Sequence, residues 1–212
     1  MKSAISCILC GSEAKPFAQA HGRHYFSCST CQAIVLDPEQ YVSRDDEIYR
    51  YETHNNDVDD PRYQNFVMPL VDAVEEYYEP DNHGLDYGSG TGPVAAQLLR
   101  DAGYDVTTYD PYFDKRVSVF QTQYNFIISS EVVEHFYHPA KEFRLLKGLL
   151  KPGGHLYCMT LRYADEIEFE NWHYIHDETH VIFYREETAR WIQRAFGFSD
   201  LILKERLIIL QK

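Results

Sequence analysis

The segment Leu85-Asp86-Tyr87-Gly88-Ser89-Gly90-Thr91-Gly92 narrows most sharply what this chain can fold into. A predicted strand, His83 to Tyr87, feeds three alternate glycines, and a helical pattern over 93–102 follows. A strand that turns on glycines into a helix gathers backbone amides and the helix's positive end at one point, where a ligand can approach. The same alternation continues with predicted strands at Asp105–Tyr109 and 124–129, a helix over 139–150, a strand over 154–161 and a helix over Glu186–Phe196. This order predicts a parallel α/β sheet with helices on both faces. The closing runs Leu201-Ile202-Leu203 and Leu207-Ile208-Ile209-Leu210, with only Lys204-Glu205-Arg206 between them, predict an antiparallel hairpin.

The detail of the turn bears on its ligand. A dinucleotide fingerprint places a third glycine where this chain has Pro93, a residue suited to the first helical turn. Asp86 repels a pyrophosphate but suits an ammonium group. Asp110, 18 residues beyond Gly92, ends the next strand, where a carboxylate accepts ribose hydroxyls. Its alternative role is turn formation before Pro111.

At the amino end, Cys7-x-x-Cys10 and Cys28-x-x-Cys31 stand 17 residues apart, a spacing suited to a four-thiolate zinc site. Gly11 follows the first pair, where a metal knuckle favours positive φ. A segment this short buries too little apolar surface to hold itself, so a structural metal answers a physical need. Two disulfides are the alternative, disfavoured in a reducing compartment. Four thiolates close the coordination shell, so Cys7, Cys10, Cys28 and Cys31 are expected to scaffold rather than catalyse. Cys158, in the apolar run Leu156-Tyr157-Cys158-Met159, is expected in the core.

The expected organisation is a zinc-ribbon-like module over 1–36, an acidic linker and lid helix over 37–80, and the α/β domain over 81–212. The lead-in helix is predicted over 62–79, with Phe66, Leu70, Ala73, Val74 and Tyr77 on its buried face and a kink at Pro69. Arg44-Asp45-Asp46-Glu47 and Asp57-Val58-Asp59-Asp60 read as solvated acidic surface. The net charge of −13, without a Lys/Arg cluster, makes nucleic acid a poor partner. No apolar run approaches the ~20 residues needed to cross a bilayer, and the start lacks the apolar stretch of a secretion signal. A cytoplasmic location is the expectation.

Asp86-Tyr87-Gly88-Ser89-Gly90-Thr91-Gly92, Asp110, Glu131-Val132-Val133-Glu134-His135 and Leu150-Lys151-Pro152-Gly153-Gly154-His155-Leu156 follow one another as in class I S-adenosylmethionine-dependent methyltransferases, which this chain resembles over 83–212. The resemblance implies a Rossmann-like sheet of seven strands whose first loop holds the methionine part of the cofactor. Carried over, it places Asp86, Gly88, Ser89, Gly90 and Gly92 at the cofactor, Asp110 on the ribose, and Ser130 with Glu131 beside the reacting methyl. The connection between Asp110 and Tyr124 is too short for a full crossover, so the third strand is expected to be missing. The adenine contact then falls to Tyr112 or Phe113.

Three segments compete to supply acid–base chemistry. Glu131, Glu134 and His135 are spaced to converge at a strand end, and similar segments in ubiquinone-pathway O-methyltransferases are associated with a divalent metal. A second metal, a base and a structural turn are all open readings here. Within Trp172-His173-Tyr174-Ile175-His176-Asp177-Glu178-Thr179-His180, Asp177 and His180 are expected at the active site. His54 or Tyr51, in the lead-in, is a candidate to touch the cofactor's carboxylate. The expectation is methyl transfer to a small-molecule acceptor. Two alternatives are a cofactor-binding adaptor whose ribbon meets a protein partner, and an RNA methyltransferase.

Overall fold

A computed structural model describes residues 2–53 and 57–212. The chain runs β1 (Ile5–Ser6), β2 (Glu13–Ala20), β3 (Arg23–Cys28), β4 (Ile34–Leu36), α1 (Arg44–Glu52), α2 (Pro61–Glu75), β5 (His83–Tyr87), α3 (Val94–Asp101), β6 (Asp105–Tyr109), β7 (Tyr124–Ser130), α4 (Pro139–Leu149), β8 (Leu150–Met159), β9 (Ile182–Phe183), α5 (Glu186–Phe196), β10 (Asp200–Lys204) and β11 (Leu207–Gln211). The main sheet has the order β10-β11-β8-β7-β5-β6. β6, β5, β7 and β8 are parallel, whereas β10 and β11 form the antiparallel hairpin expected from the two closing apolar runs. The chain passes from β5 to β6 on one side and then to β7 on the other. A crevice therefore opens at the carboxyl ends of β5 and β7, the topological switch point.

Alternation along the strands separates two apolar layers. Phe126, Ile128, Tyr157 and Met159 face α2 and α3, which supply Leu70, Val74, Ala96 and Leu99. Leu85, Ile127, Leu156 and Cys158 face α4 and α5, which supply Phe143, Leu146, Ala189 and Ile192. β6 is an edge strand, because Asp110 to Tyr124 holds only a turn of 3-10 helix over Val117–Gln121.

The amino-terminal strands form a second sheet, β1-β2-β3-β4-β9, whose last strand comes from the carboxyl-terminal part of the chain. Val35 pairs with Ile182, and the Leu36 amide donates to the Val181 carbonyl at 3.0 Å. Tyr25, Ile34 and Leu36 pack with Phe169, Trp172, Ile175 and Phe183 in a third apolar cluster. The ribbon is thereby stitched to the segment that precedes α5.

Two local expectations are corrected. The run Arg44-Asp45-Asp46-Glu47 opens α1, and of its four residues, all expected in solvent, Arg44, Asp45 and Asp46 are exposed and Glu47 is not. The Ser43 hydroxyl caps the Asp46 amide, and the three carboxylates lie at the positive end of the helix. Glu47 is buried, where it accepts from Tyr51 at 2.8 Å and Tyr112 at 2.8 Å. The lead-in helix is shorter than 62–79: it begins at Pro61 under an Asp60 cap and ends at Glu75. The Tyr77 and Tyr78 amides turn back to the Val74 carbonyl, which leaves Tyr77 exposed rather than on the buried face. Among the described residues, no helix is long and apolar enough to cross a membrane.

Candidate active site

A cavity of about 900 Å³ opens at the carboxyl ends of β5, β6 and β7. The glycine turn, Tyr109 to Phe113, Ser130 to Val132 and His135 line it, joined by His173, Tyr174, His176, Asp177 and His180. α1 and α2 close the remaining side with Glu47, Arg50, Tyr51, Tyr63 and Phe66. Both helices lie in the 37–80 segment expected to carry the lid helix, while the ribbon supplies no lining residue and stands behind the 173–180 segment.

One wall is made by the turns after β5 and β6. Gly88 and Gly90 have φ of 87° and 62°. A Cβ at Gly88 would lie 2.5 Å from a Val132 methyl, so the two turns approach as closely as glycine allows. The Gly88 and Ser89 amides donate to the Tyr109 carbonyl at 2.8 and 3.1 Å. Asp110 ties the turns together: one oxygen accepts the Gly90 amide at 2.9 Å, and the other accepts the Tyr112 and Phe113 amides at 2.8 and 3.0 Å. Asp86 lies under the turn. Burial pushes its carboxyl up to about 7 and Asp110 adds to the rise, against the opposing pull of Arg100. Ser89, Gly92, Tyr112, Phe113 and Ser130, the other residues expected to face a cofactor, also line the cavity. His54 lies outside the described residues.

The opposite wall is assembled from distant segments. Glu131 adopts φ of 52°, an uncommon conformation for a residue with a Cβ. Its carboxylate receives Arg206 at 3.2 Å and the Tyr174 hydroxyl at 3.1 Å. Tyr174 also makes a short hydrogen bond to Glu134 and meets the Thr160 hydroxyl at 3.0 Å. One phenolic proton serves two carboxyl groups, so the pair is stabilised when Glu134 holds a proton. Burial and the nearby charge of Glu131 hold Glu134 well above the usual carboxylate range. Its second oxygen is buried without a hydrogen-bond partner.

Two histidines complete this wall. His135 Nδ1 lies 3.1 Å from the Thr179 carbonyl, and His180 Nδ1 lies 2.7 Å from the Tyr174 carbonyl. A carbonyl only accepts, so both rings carry the proton on Nδ1 and keep a lone pair on Nε2. Burial lowers His135 to about 3 and His180 to about 4, so both are neutral near pH 7. Asp177 follows a different rule. Burial acts to raise its carboxyl, but hydrogen bonds from Thr179 prevail and hold it well below the ordinary range, helped by His180 and His135 in the acid range where those rings carry charge. Arg50 donates to it at 3.0 Å. A carboxylate so held accepts protons poorly and fixes the turn that carries His180.

Glu131 and Glu134 do meet, at the Tyr174 hydroxyl, but it is not Glu131 that groups with Glu134 and His135. The left-handed conformation of Glu131 commits it to Arg206 and Tyr174, and His180 takes the third place. One nitrogen each from His135 and His180 and one Glu134 oxygen lie within 4.8 Å of one another. Tyr174, Glu47, Arg50 and Arg206 were missed as site residues. Only Tyr174 carried a signal, as the central aromatic of a polar run beside the last helix.

The four amino-terminal sulfurs also lie within 4.8 Å of one another. Two matching turns present them. The Cys7 amide donates to the Ser12 carbonyl and the Gly11 amide returns to the Cys7 carbonyl; Cys28 pairs likewise with Ala33 and Gln32. Gly11 and Gln32 both have positive φ, at 76° and 61°. Paired knuckles that turn four sulfurs to one point are the donor set for a tetrahedral thiophilic ion.

Comparisons with known proteins agree with this geometry. A solved 1,6-didemethyltoxoflavin-N1-methyltransferase of Burkholderia thailandensis, bound to its substrate and S-adenosylhomocysteine, aligns with a TM-score of 0.57 at 13% identity, over 93% of this chain and 98% of that one. An O-methyltransferase family protein of the same species aligns with a TM-score of 0.54 at 17% identity, over 76% of this chain and 60% of that one. A SAM-dependent methyltransferase of Archaeoglobus fulgidus has a TM-score of 0.54 at 15% identity, over 70% of this chain and 94% of that one. At these identities the likeness speaks to the fold. A polyketide synthase-nonribosomal peptide synthetase of Aspergillus clavatus is 23% identical over 139 residues, 51% of this chain, which spans only 3% of that protein. Residues 60–202 match the family described as a methyltransferase domain, from the first turn of α2 through most of the main sheet. The chain belongs to that family, the class I methyltransferases.

Proposed function

We propose that this chain transfers a methyl group from S-adenosylmethionine to a small-molecule acceptor. One observation carries the reading: the glycine turn with Asp86 and Asp110, and the wall of His135, Tyr174 and His180, face each other across one cavity. The bound cofactor supplies an electrophilic methyl on a sulfonium, whose displacement leaves the electron pair on sulfur. The protein's task is alignment and exclusion of water. Asp86 offers a buried carboxylate to the cofactor's ammonium, Asp110 and the amides it organises approach the ribose, and Tyr112 or Phe113 meets the adenine. Ser130 and Glu131 border the methyl. The Nε2 lone pairs of His135 and His180 accept hydrogen bonds from the acceptor and turn its nucleophilic atom toward the methyl. Their low basicity suits orientation more than full proton abstraction. Asp177 and Arg50 keep the His180 turn in place.

We further propose zinc on Cys7, Cys10, Cys28 and Cys31, in a structural role. The paired knuckles support it, and the cluster stands apart from the cavity lining. A protein partner for the ribbon is a weaker reading, since one face of its sheet packs on Phe169, Trp172 and Phe183.

The test is calorimetry with S-adenosylhomocysteine, followed by incubation with labelled S-adenosylmethionine and a panel of hydroxyl, amine and carbon acids of low molecular weight. Binding with label transfer to at least one acceptor supports the reading. Absence of S-adenosylhomocysteine binding sinks it.

A further inference from the structure

We propose that Glu134, His135 and His180 form a second metal site, which takes a divalent ion of the first transition row at the edge of the acceptor pocket. The placement of the ion beside the acceptor rests on the methyltransferase reading; the site itself rests on geometry. Three features single out this cluster. One nitrogen from each ring and one Glu134 oxygen come within 4.8 Å of one another, and His180 Nε2 lies 4.0 Å from Glu134 Oε1. Ligands about 2.1 Å from an ion on one face stand about 3 Å apart, so closure by about one to two ångströms completes the set.

The second feature is orientation. Both rings hold Nδ1 against a backbone carbonyl, Thr179 for His135 and Tyr174 for His180. That outer contact is the one metal-bound imidazoles commonly make, since it fixes the tautomer and directs the Nε2 lone pair to the ion. The third is the carboxyl group. Glu134 is fully buried, its Oε1 already accepts from Tyr174, and its Oε2 has no hydrogen-bond partner. With a proton on the carboxyl group that oxygen has no partner, whereas a cation displaces the proton, which leaves to solvent, and uses the oxygen.

Two histidines and one carboxylate on one face leave positions open, as in sites that bind small ligands through oxygen or nitrogen. His135 and His180 line the cavity while Glu134 lies behind them, so the open positions face the acceptor side. The site therefore favours acceptors with an oxygen or nitrogen donor beside the methylated atom, which an ion can hold in place. Glu131 stays outside the set, committed to Arg206 and Tyr174. The ligand set is mixed in origin. His135 and Glu134 follow β7, while His180 arrives on the segment that β4 holds through β9.

The experiment uses the full chain, stripped of metal and reloaded with excess cobalt(II), then dialysed and assayed for bound metal and visible absorption. Thiolate-bound cobalt shows strong sulfur-to-metal charge transfer in the near ultraviolet; a nitrogen and oxygen site shows ligand-field bands without it. The expected result is two equivalents per chain, one of each spectral type. The variants His180→Asn and Glu134→Gln are expected to keep the thiolate-bound equivalent and lose the other. A wild-type chain that retains only thiolate-bound cobalt overturns the proposal, whatever the variants do. So does a second equivalent that persists in both variants. Calorimetry with S-adenosylhomocysteine on the same samples reports folding of the variants. It also separates the two readings, because failure to bind that ligand strikes the methyltransferase assignment and leaves the ion count standing.

Discussion

The two walls of the cavity are built by different means. The wall with Asp86, Gly88, Gly90 and Asp110 comes from two adjacent parallel strands and the turns that leave them, and backbone hydrogen bonds hold it. The wall with Glu131, His135, Tyr174 and His180 joins the turn after β7 to a segment some forty residues further on. That segment is braced from behind: Arg23 donates to the Ile175 carbonyl at 2.6 Å and β4 pairs with β9. The first wall is a property of the sheet, and the second depends on the ribbon. The difference sets up a test of the proposed roles: the wall assigned to the cofactor should persist when the wall assigned to the acceptor is disturbed.

The sharpest way to break this comparison is Gly88→Val. The substitution puts a side chain at φ of 87° with its Cβ 2.5 Å from a Val132 methyl, so Val132 or the turn must shift. Overpacking costs about 1–3 kcal/mol, and a positive φ adds to it. S-adenosylhomocysteine affinity should fall by about 100-fold, which is about 2.7 kcal/mol. The metal content of the ribbon should not change. Calorimetry and metal analysis check both arms, and loss of the ribbon metal together with the affinity would show that the walls are not separable.

The same division explains what the sequence disclosed. The strand, glycine turn and helix at 83–101, the helix Glu186–Phe196 and the closing hairpin follow from local periodicity and turn chemistry, and the structure has them in place. The short connection after Asp110 likewise reads as an edge strand, because no crossover fits in it. The paired knuckles were legible because two Cys-x-x-Cys pairs repeat one residue type at fixed spacing. α1 was hidden: its charge suggested solvent, while burial of Glu47 depends on Tyr51 and on Tyr112 from a loop far along the chain. The meeting of His135 with His180 was hidden for the same reason. Spacing along one turn favoured Glu131 as the third partner, and only the left-handed backbone at Glu131, with Arg206 from the final hairpin, turns it away.

Removal of the zinc proposed for the ribbon sharpens the comparison from the other side. The ribbon contributes no residue to the cavity lining, so chelation acts through β9 and the 173–180 segment. Methyl transfer to a responsive acceptor should fall on the order of thirtyfold, in line with the effect of losing groups that orient a site's ligands. S-adenosylhomocysteine affinity should change by less than about threefold, within the usual spread of distant sites that share no partners. Cys28→Ser should reproduce both effects without a chelator. Equal losses in the two measurements would mean that the cofactor wall also leans on the ribbon.

The smallest expected effect isolates one carboxyl group of the cofactor wall. Asp86 is buried under the glycine turn with its carboxyl raised from 3.8 to about 7, chiefly by burial. Between those two values the folded chain binds more protons than the unfolded chain, so the ligand-free protein loses stability as pH rises from about 4 to about 7. Below that window the penalty is absent, and above it the penalty is fully present. A ligand ammonium reverses the preference, since it favours the ionised carboxylate. Affinity for S-adenosylhomocysteine should therefore strengthen by about tenfold from pH 6 to pH 8, as the fraction of ionised Asp86 rises. Asp86→Asn should flatten both slopes and bind more weakly at pH 8. The paired measurements are thermal unfolding without ligand and calorimetry with it. Opposite slopes that vanish together in the variant tie both to Asp86; slopes that survive Asp86→Asn assign the titration to another group and remove the ammonium contact from the cofactor wall.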